Sequence, residues 1–182
     1  WFAEKLAAEG MEVPELLKTV GDGTFYRVEN GKRQFMETDG SYSDEPRGEG
    51  VLLLSDIKLT SEPVAKNGSA SLWDIGDGVI CLEFHTKMNS LDDGIVAQMK
   101  KAMKLIEKGD FKALVIHNEG ENFSVGANVG LALFAANVGL WPVVESGMSD
   151  GQKPFKKLKY SNFPVVSAPR GMALGGGCEV LL

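Results

Sequence analysis

The sequence predicts an α/β protein whose main body, residues 70–182, carries a largely parallel sheet. Two observations lead to that class. From Ala70 onward, apolar runs of strand length alternate with amphipathic segments of helical period, the order expected of βαβ units. Twice, at 122–128 and at 171–179, a strand leads through a glycine-bearing turn into a helix. Residues 1–36 differ in kind and read as short helices followed by a hairpin.

Residues 1–20 are expected to be helical, with Phe2, Leu6, Val13, Leu16, Leu17 and Val20 as buried candidates. Pro14 starts a second short helix there and Gly21 ends it. Asn30-Gly31 is a two-residue hairpin signal. It sets Glu29 opposite Lys32, Tyr26 opposite Phe35 and Phe25 opposite Met36, one opposite-charge pair and two apolar pairs. Residues 38–50 lack large aliphatics, are rich in Gly, Ser, Asp and Glu, and read as a linker and the best domain boundary. Residues 51–66 fit a strand or a short helix equally.

Gly76-Asp77-Gly78 separates two strand-like runs and predicts a second hairpin. A helix follows, capped by Ser90 or Asp92, with Ile95, Met99, Met103 and Ile106 on one face and Gly109 after its end. Ala113–His117 suits a parallel strand covered on both faces. A helix is expected at about 127–138, then a long loop with Gly139, Pro142 and Gly147, then a basic helix at about 153–160. Phe163–Ser167 reads as a strand, and Gly175-Gly176-Gly177 opens a last helix that continues into Val180-Leu181-Leu182. No internal repeat is visible.

Composition narrows the function. Lys and Arg number 19 against 25 Asp and Glu, a net charge of −6. Such a chain offers no field for nucleic acid or an anionic membrane surface. No apolar run is long enough to span a bilayer. Cys81 and Cys178 make neither a disulfide framework nor a zinc site, and read as buried, reduced thiols of a cytoplasmic protein. Position 1 is Trp and the last residues lie inside an apolar element, so the chain is expected to be an internal piece of a longer polypeptide.

The two glycine-bearing turns are the chemical candidates. A helix N-terminus presents unpaired N–H groups, and glycine lets a ligand approach the backbone closely. Two such donors aimed at one point make an oxyanion hole. Tight packing of helix on strand explains the same glycines, and local sequence weighs the two readings about equally. No dinucleotide or P-loop fingerprint is present. Glu179, three residues after Gly176, is either a dipole-complementing acid or a general acid/base beside the donors. Lys153, Lys156, Lys157 and Lys159 read as a solvated face, and His117 as a packed polar group.

Asn122–Asn128, Pro164–Ala168 and the string Gly171-Met172-Ala173-Leu174-Gly175-Gly176-Gly177-Cys178-Glu179 closely resemble the crotonase (enoyl-CoA hydratase/isomerase) superfamily. Phe84–Leu91 resembles its first substrate loop, whose backbone meets CoA. The resemblance implies the N-terminal half of a ββα-repeat spiral domain over 70–182, with 46–69 as a linker. It implies an oxyanion hole from the N–H groups of Ala127 and Gly176, and Glu179 as the first of two catalytic glutamates, the second lying beyond Leu182. Lys87, Met88, Gly126, Asn128 and Gly175 fall at its CoA and acyl contacts. The family often has Asp where Asn128 stands, which touches only a side-chain role.

Residues 1–45 resemble, over a shorter stretch, the end of the helical C-terminal domain of 3-hydroxyacyl-CoA dehydrogenase. Together the two resemblances imply a bifunctional β-oxidation protein that hydrates trans-2-enoyl-CoA. They imply acyl-CoA as substrate, no cofactor in this segment, NAD for a dehydrogenase domain outside it, and a homo-oligomer or a thiolase as partner. A Δ3,Δ2-enoyl-CoA isomerase on the same scaffold is the nearest alternative, although isomerases commonly lack a carboxylate at the position of Glu179. A non-catalytic acyl-CoA-binding module is the alternative of another class. The segment by itself is expected to be inactive and poorly stable.

Overall fold

The computed structural model describes residues 1–127 and 129–181, the side chain of Leu131 excepted. The chain forms two compact units, Trp1–Ser61 and Glu62–Leu182.

The first unit holds helices α1 (Phe2–Ala8) and α2 (Glu15–Val20), then strands β1 (Tyr26–Glu29), β2 (Lys32–Met36) and β3 (Tyr42–Asp44), then the one-turn helix α3 (Leu54–Ile57). The Asn30-Gly31 hairpin has the register expected from the sequence, with Tyr26 opposite Phe35 and Glu29 opposite Lys32. Its charges pair otherwise. Lys32 donates to Asp44 at 2.6 Å, and Arg27 reaches Glu29. Arg47 grips Asp56 with two nitrogens, at 2.7 and 3.0 Å, and so holds that carboxyl below its ordinary range.

Three expectations for this unit are corrected. The stretch 38–50 is not simply a linker, because β3 lies within it and pairs antiparallel with β2. The break between units falls at residues 61 and 62 instead. The apolar residues of α1 and α2 are not buried. Neither helix contains a buried residue, and Phe2 is 59% exposed.

The second unit contains β4 (Ala65–Lys66), β5 (Ala70–Asp74), β6 (Val79–Phe84), α4 (Asp93–Glu107), β7 (Ala113–His117), β8 (Asn122–Ser124), α5 (Val129–Asn137), α6 (Trp141–Lys159), β9 (Val165–Ala168), β10 (Met172–Ala173) and α7 (Gly176–Glu179). The main sheet runs β4-β5-β6-β7-β9. It is mixed rather than largely parallel. The β4-β5-β6 side is antiparallel, because two hairpin turns build it, and only β6-β7-β9 is parallel.

The core follows from the side-chain periods. Leu72, Ile80, Leu82, Leu114 and Ile116 alternate onto one sheet face, and Ile95, Met99, Met103 and Ile106 recur at helical spacing on α4. All of them are buried in one apolar cluster. The other sheet face is less covered at its parallel end. Val115 is half-buried and Val166 is 56% exposed, so the expected cover on both faces of Ala113–His117 is not found.

Helix α6 corrects a further expectation. Residues 141–152, read as loop, are its first turns. Pro142 lies at the helix start, where its missing N–H costs nothing. Pro154 and Leu158 are buried, and Lys157 bridges α6 to Glu107 of α4 at 2.9 Å. Tertiary packing therefore overrides the Gly and Pro punctuation.

Strands β8 and β10 form a separate two-stranded parallel sheet. The order β7-β8-α5 is thus repeated as β9-β10-α7, a ββα unit used twice. The sequence shows no such repeat, because strands of two and three residues leave no periodic signal.

Asp92 caps α4. It accepts the Ile95 N–H at 2.8 Å and the Ser69 hydroxyl at 2.7 Å. Asp92→Ala is expected to lower the stability of this unit by about 1–2 kcal/mol, read as a lower urea midpoint by far-ultraviolet circular dichroism with unchanged slope.

Candidate functional site

Three backbone segments converge beside the small sheet: 85–91 after β6, 122–127 through β8, and 171–177 through β10. Polar contacts hold the first against the second. Ser124 Oγ donates to the Asn89 carbonyl at 2.7 Å, Asn89 Nδ2 to the Asn122 carbonyl at 2.8 Å, and Ser90 Oγ to the Gly126 carbonyl at 3.0 Å. The Leu91 N–H also reaches the Gly126 carbonyl, at 2.9 Å, and the Val125 N–H reaches that of Met88. At the root of the first segment, the buried Glu83 carboxylate accepts from Trp73 Nε1 at 3.0 Å and lies 3.1 Å from His85 Nε2.

Pairing of β8 with β10 brings the third segment alongside, and the Leu174 N–H donates to the Ser124 carbonyl at 2.8 Å. The approach is backbone to backbone. A Cβ placed on Gly126 would stand 2.8 Å from the Leu174 oxygen and 2.9 Å from the Gly176 nitrogen. One placed on Gly177 would stand 2.4 Å from the Ser124 oxygen. Gly126 and Gly175 have φ of 84° and 50°, conformations that favour glycine.

This packing sets the two expected donors side by side. The ideal Cβ direction of Gly176 points within 3.7 Å of the Ala127 nitrogen. Ala127 forms a parallel bridge with Leu91 in which the Gly126 carbonyl is used and the Ala127 N–H is not. Gly176 opens α7, where N–H groups have no intrahelical partner. Neither N–H donates to a backbone carbonyl of the described residues. Two unpaired donors on adjoining loops can stabilise one developing oxyanion.

Glu179 sits one turn along α7, its N–H 3.3 Å from the Gly175 carbonyl. It borders a cavity of about 230 Å³ with Lys159, Ser161, Val165 and Ser167, which neither Ala127 nor Gly176 lines. Lys87 and Met88 lie in a single 3-10 turn, and both are exposed. Met88 has φ 56°, which turns the chain so that its carbonyl faces β8. Asn128 lies outside the described residues, as does Leu182. Cys178 is exposed rather than buried, while Cys81 is buried as expected. In the four-residue α7 Gly177 takes the inward position and Cys178 the outward one, and Val180, just past the helix, is buried.

His117 Nδ1 meets the Ala168 carbonyl at 2.8 Å, which fits a packed polar group. Sequence reasoning missed Asn89, Ser90, Asn118 and Ser124, whose polar side chains tie the segments together. Only their density between 89 and 124 hinted at it. Among the described residues no group of three His, Cys, Asp or Glu side chains is placed to hold a metal, and no helix is long and apolar enough to cross a membrane.

Comparison with known proteins adds three findings. The sequence profile of the enoyl-CoA hydratase/isomerase family matches residues 74–182. A Bacillus subtilis protein named a probable 3-hydroxyacyl-CoA dehydrogenase is 39% identical over 183 residues, covering 99% of this chain and 23% of that protein. Among solved structures, an enoyl-CoA hydratase of Bacillus anthracis has a TM-score of 0.53 at 22% identity, over 62% of this chain and 43% of its own. One from Polaromonas has a TM-score of 0.55 at 21% identity, over 60% and 43%. At such identities the structural likeness speaks for the fold.

Gly126→Ala tests the close approach. The added methyl meets backbone on two sides and strains a positive φ, so a stability loss of roughly 1–3 kcal/mol is expected. Amide exchange at Leu174 should accelerate with it, because the clash parts the two loops. An unchanged melting temperature with unchanged exchange would contradict the geometry.

Proposed function

The chain belongs to the enoyl-CoA hydratase/isomerase family, and from that premise we propose that the longer protein containing it hydrates trans-2-enoyl-CoA to 3-hydroxyacyl-CoA. One observation carries the reading. The Ala127 and Gly176 N–H groups adjoin one another, unpaired, with Glu179 a single turn away. When water attacks the β-carbon, negative charge moves onto the thioester oxygen. Two fixed N–H donors oppose that charge, each worth about 3 kcal/mol in comparable sites. Glu179 then holds the attacking water and takes up its proton, and a second carboxyl group, supplied from outside these residues, returns a proton to the α-carbon. Segment 85–91, with Lys87 and Met88, holds the CoA moiety. Gly126 and Gly175 let the thioester reach the backbone.

The alignment with the Bacillus subtilis protein runs through residues 1–45 as well. It supports reading them as the end of a dehydrogenase helical domain, and the longer protein as bifunctional, with NAD serving its dehydrogenase part. Two short helices and a three-stranded sheet offer no glycine-rich turn from strand to helix for a pyrophosphate, so the dinucleotide is held elsewhere. A reducing, cytoplasmic setting fits the exposed thiol of Cys178. The assembly we envisage is a homo-oligomer or a complex with a thiolase that consumes the product.

Two variants of the longer protein test the site. Glu179→Gln should keep affinity for crotonyl-CoA within about twofold and lower its hydration by about 10²-fold or more, followed by loss of the enoyl absorbance. Wild-type turnover would remove Glu179 from the mechanism. Gly176→Pro deletes one donor and should abolish hydration. Hydration retained by a folded proline variant would refute the oxyanion assignment. A wild-type protein that shifts the double bond of trans-3-hexenoyl-CoA but does not hydrate crotonyl-CoA would make it an isomerase, and one that only binds would make it a carrier.

A further inference from the structure

Asn118 follows β7 and is 1% exposed. Its carboxamide is used on both sides. Oδ1 accepts the Phe84 N–H at 2.7 Å, and Nδ2 donates to the Phe123 carbonyl at 2.7 Å. Phe84 is the last residue of β6, from which segment 85–91 departs. Phe123 lies in the middle of β8, three residues before Gly126. The rings of these two phenylalanines also meet, with centroids 6.2 Å apart, and both are buried. One side chain therefore joins the roots of two segments that are 39 residues apart in sequence and meet again farther out, at Asn89 and Ser124.

We propose that Asn118 is a positioning residue that fixes the CoA-holding segment 85–91 against the oxyanion segment 122–127. The role rests on the function proposed above. An amide presents an acceptor and a donor on opposite sides of one rigid plane, which is what a backbone N–H on one strand and a carbonyl on another require. An alanine leaves both groups buried and unsatisfied, and an ionised aspartate offers only acceptors. With its amide in place, the distance from the CoA-binding backbone to the Ala127 N–H is set before substrate arrives. The thioester oxygen then meets the donor at the moment the nucleotide end is held.

The test uses the longer protein and two thioesters, crotonyl-CoA and the crotonyl thioester of N-acetylcysteamine, which carries the same enoyl group without the nucleotide. In Asn118→Ala, kcat/KM should fall about tenfold further for crotonyl-CoA than for the short thioester, the scale of one lost buried hydrogen bond. Amide exchange should accelerate in 84–91 and 122–127 together and stay unchanged in 93–107. Met103→Ala, a core cavity on α4, should keep the wild-type ratio between thioesters. Equal losses on the two thioesters, a similar change of ratio in Met103→Ala, or unchanged exchange would overturn the proposal. Should Asn118→Ala not fold, Asn118→Asp keeps the shape and the acceptor, loses the donor, and should show the same pattern. If the wild-type protein hydrates neither thioester, the hydratase reading fails. The exchange experiment then decides alone, with coupled loosening of the two segments supporting the role of Asn118 and no change refuting it.

Discussion

The segments that flank the strands of the small sheet meet at distances that exclude a side chain. A Cβ on Gly171 would stand 1.9 Å from the Glu121 oxygen, one on Gly177 2.4 Å from the Ser124 oxygen, and one on Gly126 2.8 Å from the Leu174 oxygen. Backbone touches backbone at three successive places, and the site follows from that contact. Parallel pairing points β8 and β10 the same way, so each strand delivers its turn to the same edge. The turns run into helices, and a helix start leaves N–H groups unpaired. One turn opens α7 at Gly176 and the other reaches the bridge residue Ala127, so two N–H groups without a backbone partner among the described residues stand in one place, without any side chain devoted to the purpose.

Turn chemistry and helical period made much of this fold legible. Asn30-Gly31 and Gly76-Asp77-Gly78 set the two hairpins expected from the sequence, because the left-handed conformations those turns need are cheap only for a few residues. The apolar stripe of α4 with its Asp92 cap was equally plain. Where structure depends on contacts far along the chain, local reading failed. Pro142 and Gly147 look like loop, yet α6 runs through them because Pro154 and Leu158 are buried and Lys157 reaches Glu107. In β3, Tyr-Ser-Asp has no strand pattern of its own, and its hydrogen bonds come from β2.

The site divides in the same way. The glycines and Glu179 stood out in the sequence because a Gly-rich turn from strand to helix is local. Their juxtaposition was not local, since 122–127 and 171–177 are joined by a ladder of two residue pairs with an irregularity between them. Resemblance to a known family supplied what periodicity could not. Asn118 escaped notice for the opposite reason. An asparagine just after a strand is an ordinary turn residue, and only its burial and its two partners separate it from that.

The buried cluster centres on the main sheet, the N–H groups of Ala127 and Gly176 flank the small one, and Glu179 lies on the short helix between them. Helix α7 has four residues, too short to fix its own orientation by propensity. Its direction is set at both ends by other elements. At its start the Gly177 N–H bonds the Leu174 carbonyl, and the missing Cβ lets the turn rest on Ser124. At its end Val180 enters the apolar cluster, and the Val180 carbonyl accepts the Ser167 hydroxyl of β9 at 3.2 Å. The backbone that carries Glu179 is thus held between a backbone contact beside the small sheet and a side-chain anchor in the core. A change at Val180 or Ser167 would reach Glu179 through that one turn of helix.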